Sequence, residues 1–110
     1  MANNLPYGIV EDAGVSITLA ESIASDARVD DVFNALTWRL AREPEAGTIV
    51  EYAGVQYRLA VLRSIKEAEN PTVAVRYSVD HNIGRITIHW AKVYPYDAAT
   101  AYSPEEFGGS

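Results

Sequence analysis

Residues 55–93 constrain the fold of this 110-residue chain most tightly, because three runs there alternate apolar and polar side chains with a period of two. That period puts successive side chains on opposite sides of a strand, so each run gives a sheet one apolar side. Val55, Tyr57, Leu59 and Val61 form the apolar set of the first run, against Gln56 and Arg58. Val73, Val75, Tyr77 and Val79 oppose Thr72, Arg76 and Ser78 in the second, and Ile86, Ile88 and Trp90 oppose Arg85, Thr87 and His89 in the third. Asp80, His81, Asn82, Ile83 and Gly84 supply turn residues between the last two. If those strands pair through a four-residue loop, Asp80 faces Arg85, Ser78 faces Thr87 and Arg76 faces His89. With the apolar sets turned to the core, the polar face carries Arg58, Arg76 and His89.

A helix over residues 27–42 follows from Val29, Val32, Phe33, Leu36 and Leu40, which share an arc of about 100° at 3.6 residues per turn. Ser25 or Asp26 is placed to cap it, Asp30 and Asp31 lie in or near its first turn and Arg39 and Arg42 near its end, and Pro44 and Gly47 stop it. Residues 48–52 read as a strand, and Ala53-Gly54 is short enough for a tight hairpin into the run at residue 55. Residues 15–19 alternate like a strand, although Ile17, Ala20, Glu21 and Ala24 also suit a helix; the strand is the reading carried forward. Residues 64–71 read as a solvated loop, and Ser103 and Pro104 open a short helical turn that Phe107 holds down. The expected fold is α+β, one amphipathic helix or helical hairpin on a four-stranded, mainly antiparallel sheet. It forms a single domain over residues 1–107 with a flexible tail at 108–110.

Fifteen acidic against nine basic residues give a net charge of −6, which repels polyanions and weighs against general nucleic-acid binding. The absence of cysteine removes disulfides, thiolate metal sites and cysteine nucleophiles. No glycine-rich phosphate loop, metal-ligand spacing or nucleophile elbow occurs, so no cofactor or metal is expected. No basic segment leads an apolar run at the N-terminus, and no stretch of about 18 apolar residues occurs; membrane spanning is not expected and the cytoplasm is the default location.

Arginine donates paired hydrogen bonds and histidine titrates near neutrality, so Arg58, Arg76 and His89 on one face suit a phosphate or carboxylate. The plainer reading pairs these arginines with Glu51, Glu106 or an acidic tail folded over them. His81, in the turn, is expected to be exposed without a special role. Trp38 lies opposite the helix's apolar arc and needs a second contact, from the N-terminal segment or from a partner. Tyr94, Tyr96 and Tyr102 suit base stacking, though holding the tail in place is favoured.

The helix ending in Trp38-Arg39-Leu40-Ala41-Arg42-Glu43-Pro44, followed by Tyr57-Arg58-Leu59, Val75-Arg76-Tyr77-Ser78-Val79-Asp80 and Arg85-Ile86-Thr87-Ile88, resembles the RelE/ParE toxin superfamily over residues 29–93. The resemblance implies a helix or helical hairpin against a curved antiparallel sheet. It implies a cognate antitoxin or other protein partner, ribosome-bound mRNA or gyrase as target, and admits a homodimer. In its ribonuclease members, basic residues on the sheet and a late tyrosine or histidine cleave mRNA; Arg58, Arg76, His89 and Tyr102 would be the corresponding catalytic set. The acidic charge and the Tyr94-Pro95-Tyr96-Asp97 segment depart from that basic pattern. An alternative is a non-catalytic acidic interaction module, an immunity or antitoxin-like protein, on the same fold.

Overall fold

The computed structural model describes residues 6–99 and 101; the expected turn at 103–106, Phe107, Tyr102 and the tail at 108–110 lie outside them. Strand β1 (Gly8–Glu11) leads into helices α1 (Ala13–Ser25) and α2 (Arg28–Arg42). Strands β2 (Thr48–Tyr52), β3 (Val55–Leu62), β4 (Thr72–Asp80) and β5 (Arg85–Tyr94) follow. The sheet order is β1-β5-β4-β3-β2, antiparallel except that β1 runs parallel to β5. The α+β class and the antiparallel-dominated sheet are as expected; the fifth strand is not. Among the described residues, no helix is long and apolar enough to cross a membrane.

The strand expected at residues 15–19 is helical, for a local reason and a packing one. Asp12 caps α1, its Oδ1 accepting the Val15 N–H at 3.1 Å, which satisfies a backbone donor that a helix start otherwise leaves open. Val15 and Leu19 are then one turn apart and buried, with Ile23 packed against the same core, while Ile17 is 60% exposed. The β-branched residues of this stretch favour a strand, but three apolar side chains on one helical stripe bury more surface. Ala27 holds the N-cap position of α2 without a side-chain cap, and Asp26 just before it accepts the Arg28 N–H on Oδ1 at 2.9 Å and the Val29 N–H on its carbonyl. Val29, Val32, Phe33, Leu36 and Leu40 of α2 are all buried.

Residues 64–71 are tied down more than a solvated loop implies. Ser64 and Pro71 are buried. The Ser64 N–H donates to Thr72 Oγ1, Ile65 N–H to Asn70 Oδ1, and Arg28 Nη1 reaches the carbonyls of Ala68 and Glu69. The hairpin at Ala53-Gly54 forms as expected, with positive φ at both residues (52° and 78°), the conformation whose twist matches paired strands.

The sheet's two faces are assigned by its register. Val73, Val75 and Tyr77 of β4 are fully buried against the helices, and their partners Leu62, Ala60 and Arg58 of β3 share that side. Val55, Tyr57, Leu59 and Val61, expected in the core, therefore lie on the face away from the helices, where Val55 is 50% and Val61 46% exposed. The expected pairs Asp80–Arg85 and Ser78–Thr87 occur. Arg76 pairs with Trp90 rather than His89, because His89 is the extra residue of a β-bulge between Tyr77–Ile88 and Arg76–Trp90. Ile86, Ile88 and Ala91 thus face the core, while Trp90, expected in the core set, moves to the open face with Arg76.

Residues 90–94 keep their faces if the bulge residue is removed, since Ile88 and Trp90 already oppose consecutive residues of β4. Deleting His89 should leave a folded protein, costing less than about 2 kcal/mol in urea unfolding. Deleting Ala91 instead turns Lys92 toward the core and should cost more than about 4 kcal/mol.

Candidate functional site

At the centre of the open sheet face Arg76 is enclosed by aromatic rings contributed by three strands. Its guanidinium carbon lies 4.1 Å from the Tyr52 ring centroid, 5.3 Å from Tyr57 and 5.8 Å from Trp90. These are cation–π distances, at which the ring faces attract the cation. Leu59, its cross-strand neighbour, is apolar. Arg76 Nε is buried and has no hydrogen-bond partner among the described residues. His89, displaced outward by the bulge, hydrogen-bonds through Nε2 with Ser78 Oγ at 2.8 Å and packs edge-on against Tyr57, ring centroids 5.2 Å apart. Arg76 and His89 are thus neighbours on one face, as expected, linked through Tyr57.

Arg58 does not join them. Paired with Tyr77, it lies on the helix side, where its Nη1 donates to the Gly47 carbonyl at 2.8 Å and the Glu45 carbonyl at 3.2 Å. The Tyr77 hydroxyl donates to the Pro44 carbonyl at 2.7 Å and accepts the Gly47 N–H at 2.9 Å. Together they clasp the turn between α2 and β2. Gly47 is required in that clasp, since a Cβ there would lie 2.7 Å from the Tyr77 hydroxyl and 2.8 Å from the Leu59 carbonyl. The misplacement of Arg58 has a plain cause: alternation gives the two sides of β3, but not which side meets the helices. Glu51 shares Arg58's side, so it is no partner for Arg76. Tyr102 and Glu106 lie outside the described residues.

His81, expected to have no role, bridges three segments. Its Nδ1 hydrogen-bonds with the Tyr7 hydroxyl at 2.7 Å and its Nε2 lies 3.2 Å from Glu45 Oε2, joining the start of β1, the β4–β5 turn and the turn after α2. A cleft of about 200 Å³ at this end of the sheet is lined in part by Glu45, Tyr57, Arg58 and His81, and does not include Arg76 or His89. Trp38 is 66% exposed, with the Arg42 guanidinium 4.6 Å from its ring centroid. No cluster of three or more His, Asp or Glu suited to a metal ion forms among the described residues.

Charge is distributed unevenly on this acidic chain. Within the strands, the open face carries Arg76, Arg85 and Lys92 against Asp80, which pairs with Arg85 at the sheet end. Tyr52 and Tyr94, 56% and 45% exposed, extend the aromatic surface toward two corners. The surface combines apolar area, aromatic rings and a cationic centre, the composition of protein-binding hot spots. Arg76 and His89 were readable on this face in the sequence; Tyr57 and Trp90, read with the core, join them through the register of β3 and the bulge of β5. Comparison with known proteins finds no matching family, no similar curated protein and no similar solved structure.

The clasp gives a test of Arg58's neighbourhood. Burial raises the Tyr77 pKa, and Glu45's charge adds to the rise; the Gly47 hydrogen bond and Arg58's charge oppose it without cancelling it. A tyrosine whose folded pKa lies above the unfolded value near 10 contributes stability below that pH, and loses it as pH rises through the folded pKa. Tyr77→Phe should lower stability by about 1–3 kcal/mol at neutral pH, through the lost hydrogen bonds. It should also flatten the fall in stability above about pH 10, followed by urea unfolding across pH.

Proposed function

We propose that this chain is a RelE/ParE-like toxin–antitoxin family protein that acts by binding protein on its open sheet face, without cleaving RNA. The observation that carries the reading is the Arg76 clamp on the exposed sheet face, beside the mainly apolar side of β2 and β3. Support for the family reading comes from helices packed against an antiparallel-dominated sheet, with α2 followed by β2, β3, β4 and β5 in the expected order. Against ribonuclease chemistry stands the separation of Arg58 from Arg76 and His89 on opposite faces, so that these three do not converge on one phosphoryl group. The −6 charge points the same way, since RNA binding draws its affinity from cations along a backbone track.

The second reading, an acidic immunity or antitoxin-like module, is favoured by the same net charge; it predicts capture of a basic partner on the acidic surfaces outside the open face. Regulated expression of wild type, Arg76→Ala and Trp90→Ala, each checked for folding by circular dichroism, separates the readings. The proposal expects growth arrest with intact mRNA in the wild type, and at least about tenfold weaker arrest in both variants, the loss typical of an interface hot spot. Rapid mRNA loss would establish a ribonuclease. Normal growth together with a stoichiometric basic partner would establish the immunity-like module.

A further inference from the structure

We infer that the Arg76 clamp receives a carboxylate set within the apolar stripe of a partner protein's amphipathic helix, a step that rests on the open face being a protein-docking surface. Tyr52, Tyr57 and Trp90 restrain the guanidinium, and the buried Nε has no acceptor among the described residues. Arg76 as a whole is only half-buried. A planar guanidinium is complementary to a carboxylate, which can take two parallel hydrogen bonds from its terminal Nη groups.

The groups beside the guanidinium are mainly apolar or aromatic: Leu59 is its cross-strand neighbour, the buried Ala74 lies two residues back along β4, and the polar neighbour two residues on, Ser78, is engaged by His89. One anion among apolar groups is therefore what the face accepts. A nucleic acid needs a row of cations along its backbone; apart from Arg76, the strands place Lys92 on this face, and Arg85 opposite Asp80. A second copy docked face to face about a two-fold axis through the clamp would set Arg76 against Arg76, which like charge opposes. The helices cover one side of the sheet already, and the opposite side suits the same kind of cover, a helix presenting an apolar stripe.

The test uses the full chain with Trp38→Phe, which leaves Trp90 as the sole tryptophan and hence the reporter at the clamp. The probes are helical peptides of about 16 residues, with a leucine-alanine stripe interrupted by one central glutamate or by glutamine. The glutamate peptide should shift Trp90 emission and bind at least about tenfold tighter than the glutamine peptide, as a charge-assisted hydrogen bond in an apolar setting requires. Arg76→Leu, folded by circular dichroism, should abolish that difference. Equal binding of the two peptides would overturn the carboxylate assignment while leaving the docking face in place. Failure of both peptides, with or without binding of a single-stranded oligouridine, would overturn the docking face as well. A chain ending at Ala101 that binds the glutamate peptide about tenfold tighter than the full chain would assign the clamp to Glu105 or Glu106 of the same molecule, and would overturn the partner.

Discussion

The pairing of Arg58 with Tyr77 decides which side of β3 the helices cover, and with it the character of both sheet faces. Tyr77 is fully buried in the core, so the side of β3 bearing Arg58, Ala60 and Leu62 must face inward with it. Ala60 and Leu62 accept burial readily. Arg58 sits far enough along the strand to turn its guanidinium onto the carbonyls of Glu45 and Gly47. A cation on the helix side is tolerated because those hydrogen bonds replace water, and they hold the turn that leads from α2 into β2.

The price of that arrangement appears on the other side, where Val55, Tyr57, Leu59 and Val61 face solvent beside Tyr52 and Trp90. A sheet of this size covered on one side only would normally expose polar residues on the other. Here β3 exposes apolar and aromatic ones instead, and on β5, which keeps Arg85, Thr87 and Lys92 on that side, the bulge at His89 adds Trp90 to them. The bulge also brings His89 beside Tyr57 and leaves the core side of β5 lined by Ile86, Ile88 and Ala91. One inserted residue therefore serves both faces, keeping the core apolar while enlarging the aromatic surface around Arg76.

Much of the architecture was legible because local signals agreed. The α2 stripe, the stop at Pro44, the two-residue hairpin and the four-residue loop between β4 and β5 each combine a period with a turn residue, and the structure carries them within a residue of their expected places. Helix α1 was not legible, because its β-branched alternation competes with a cap at Asp12 and a stripe made of only Val15, Leu19 and Ile23. Strand β1 was missed for a related reason. It has four residues and is held by parallel pairing to β5, a contact distant in sequence that no local pattern records.

The candidate site divides the same way. By itself the sequence determined that Arg76 and His89 stand on strands opposite buried valines and isoleucines, since alternation is a local property of a pleated chain. It could not determine that Arg58 belongs to the other side, or that Trp90 leaves the core, because β3 is apolar on the outward side and β5 breaks its own period. Only the tertiary structure decided these, by matching cross-strand partners over the whole sheet: the face that buries Val73, Val75, Tyr77, Ile86 and Ile88 together is the one the helices cover, and every remaining side chain takes the side left over.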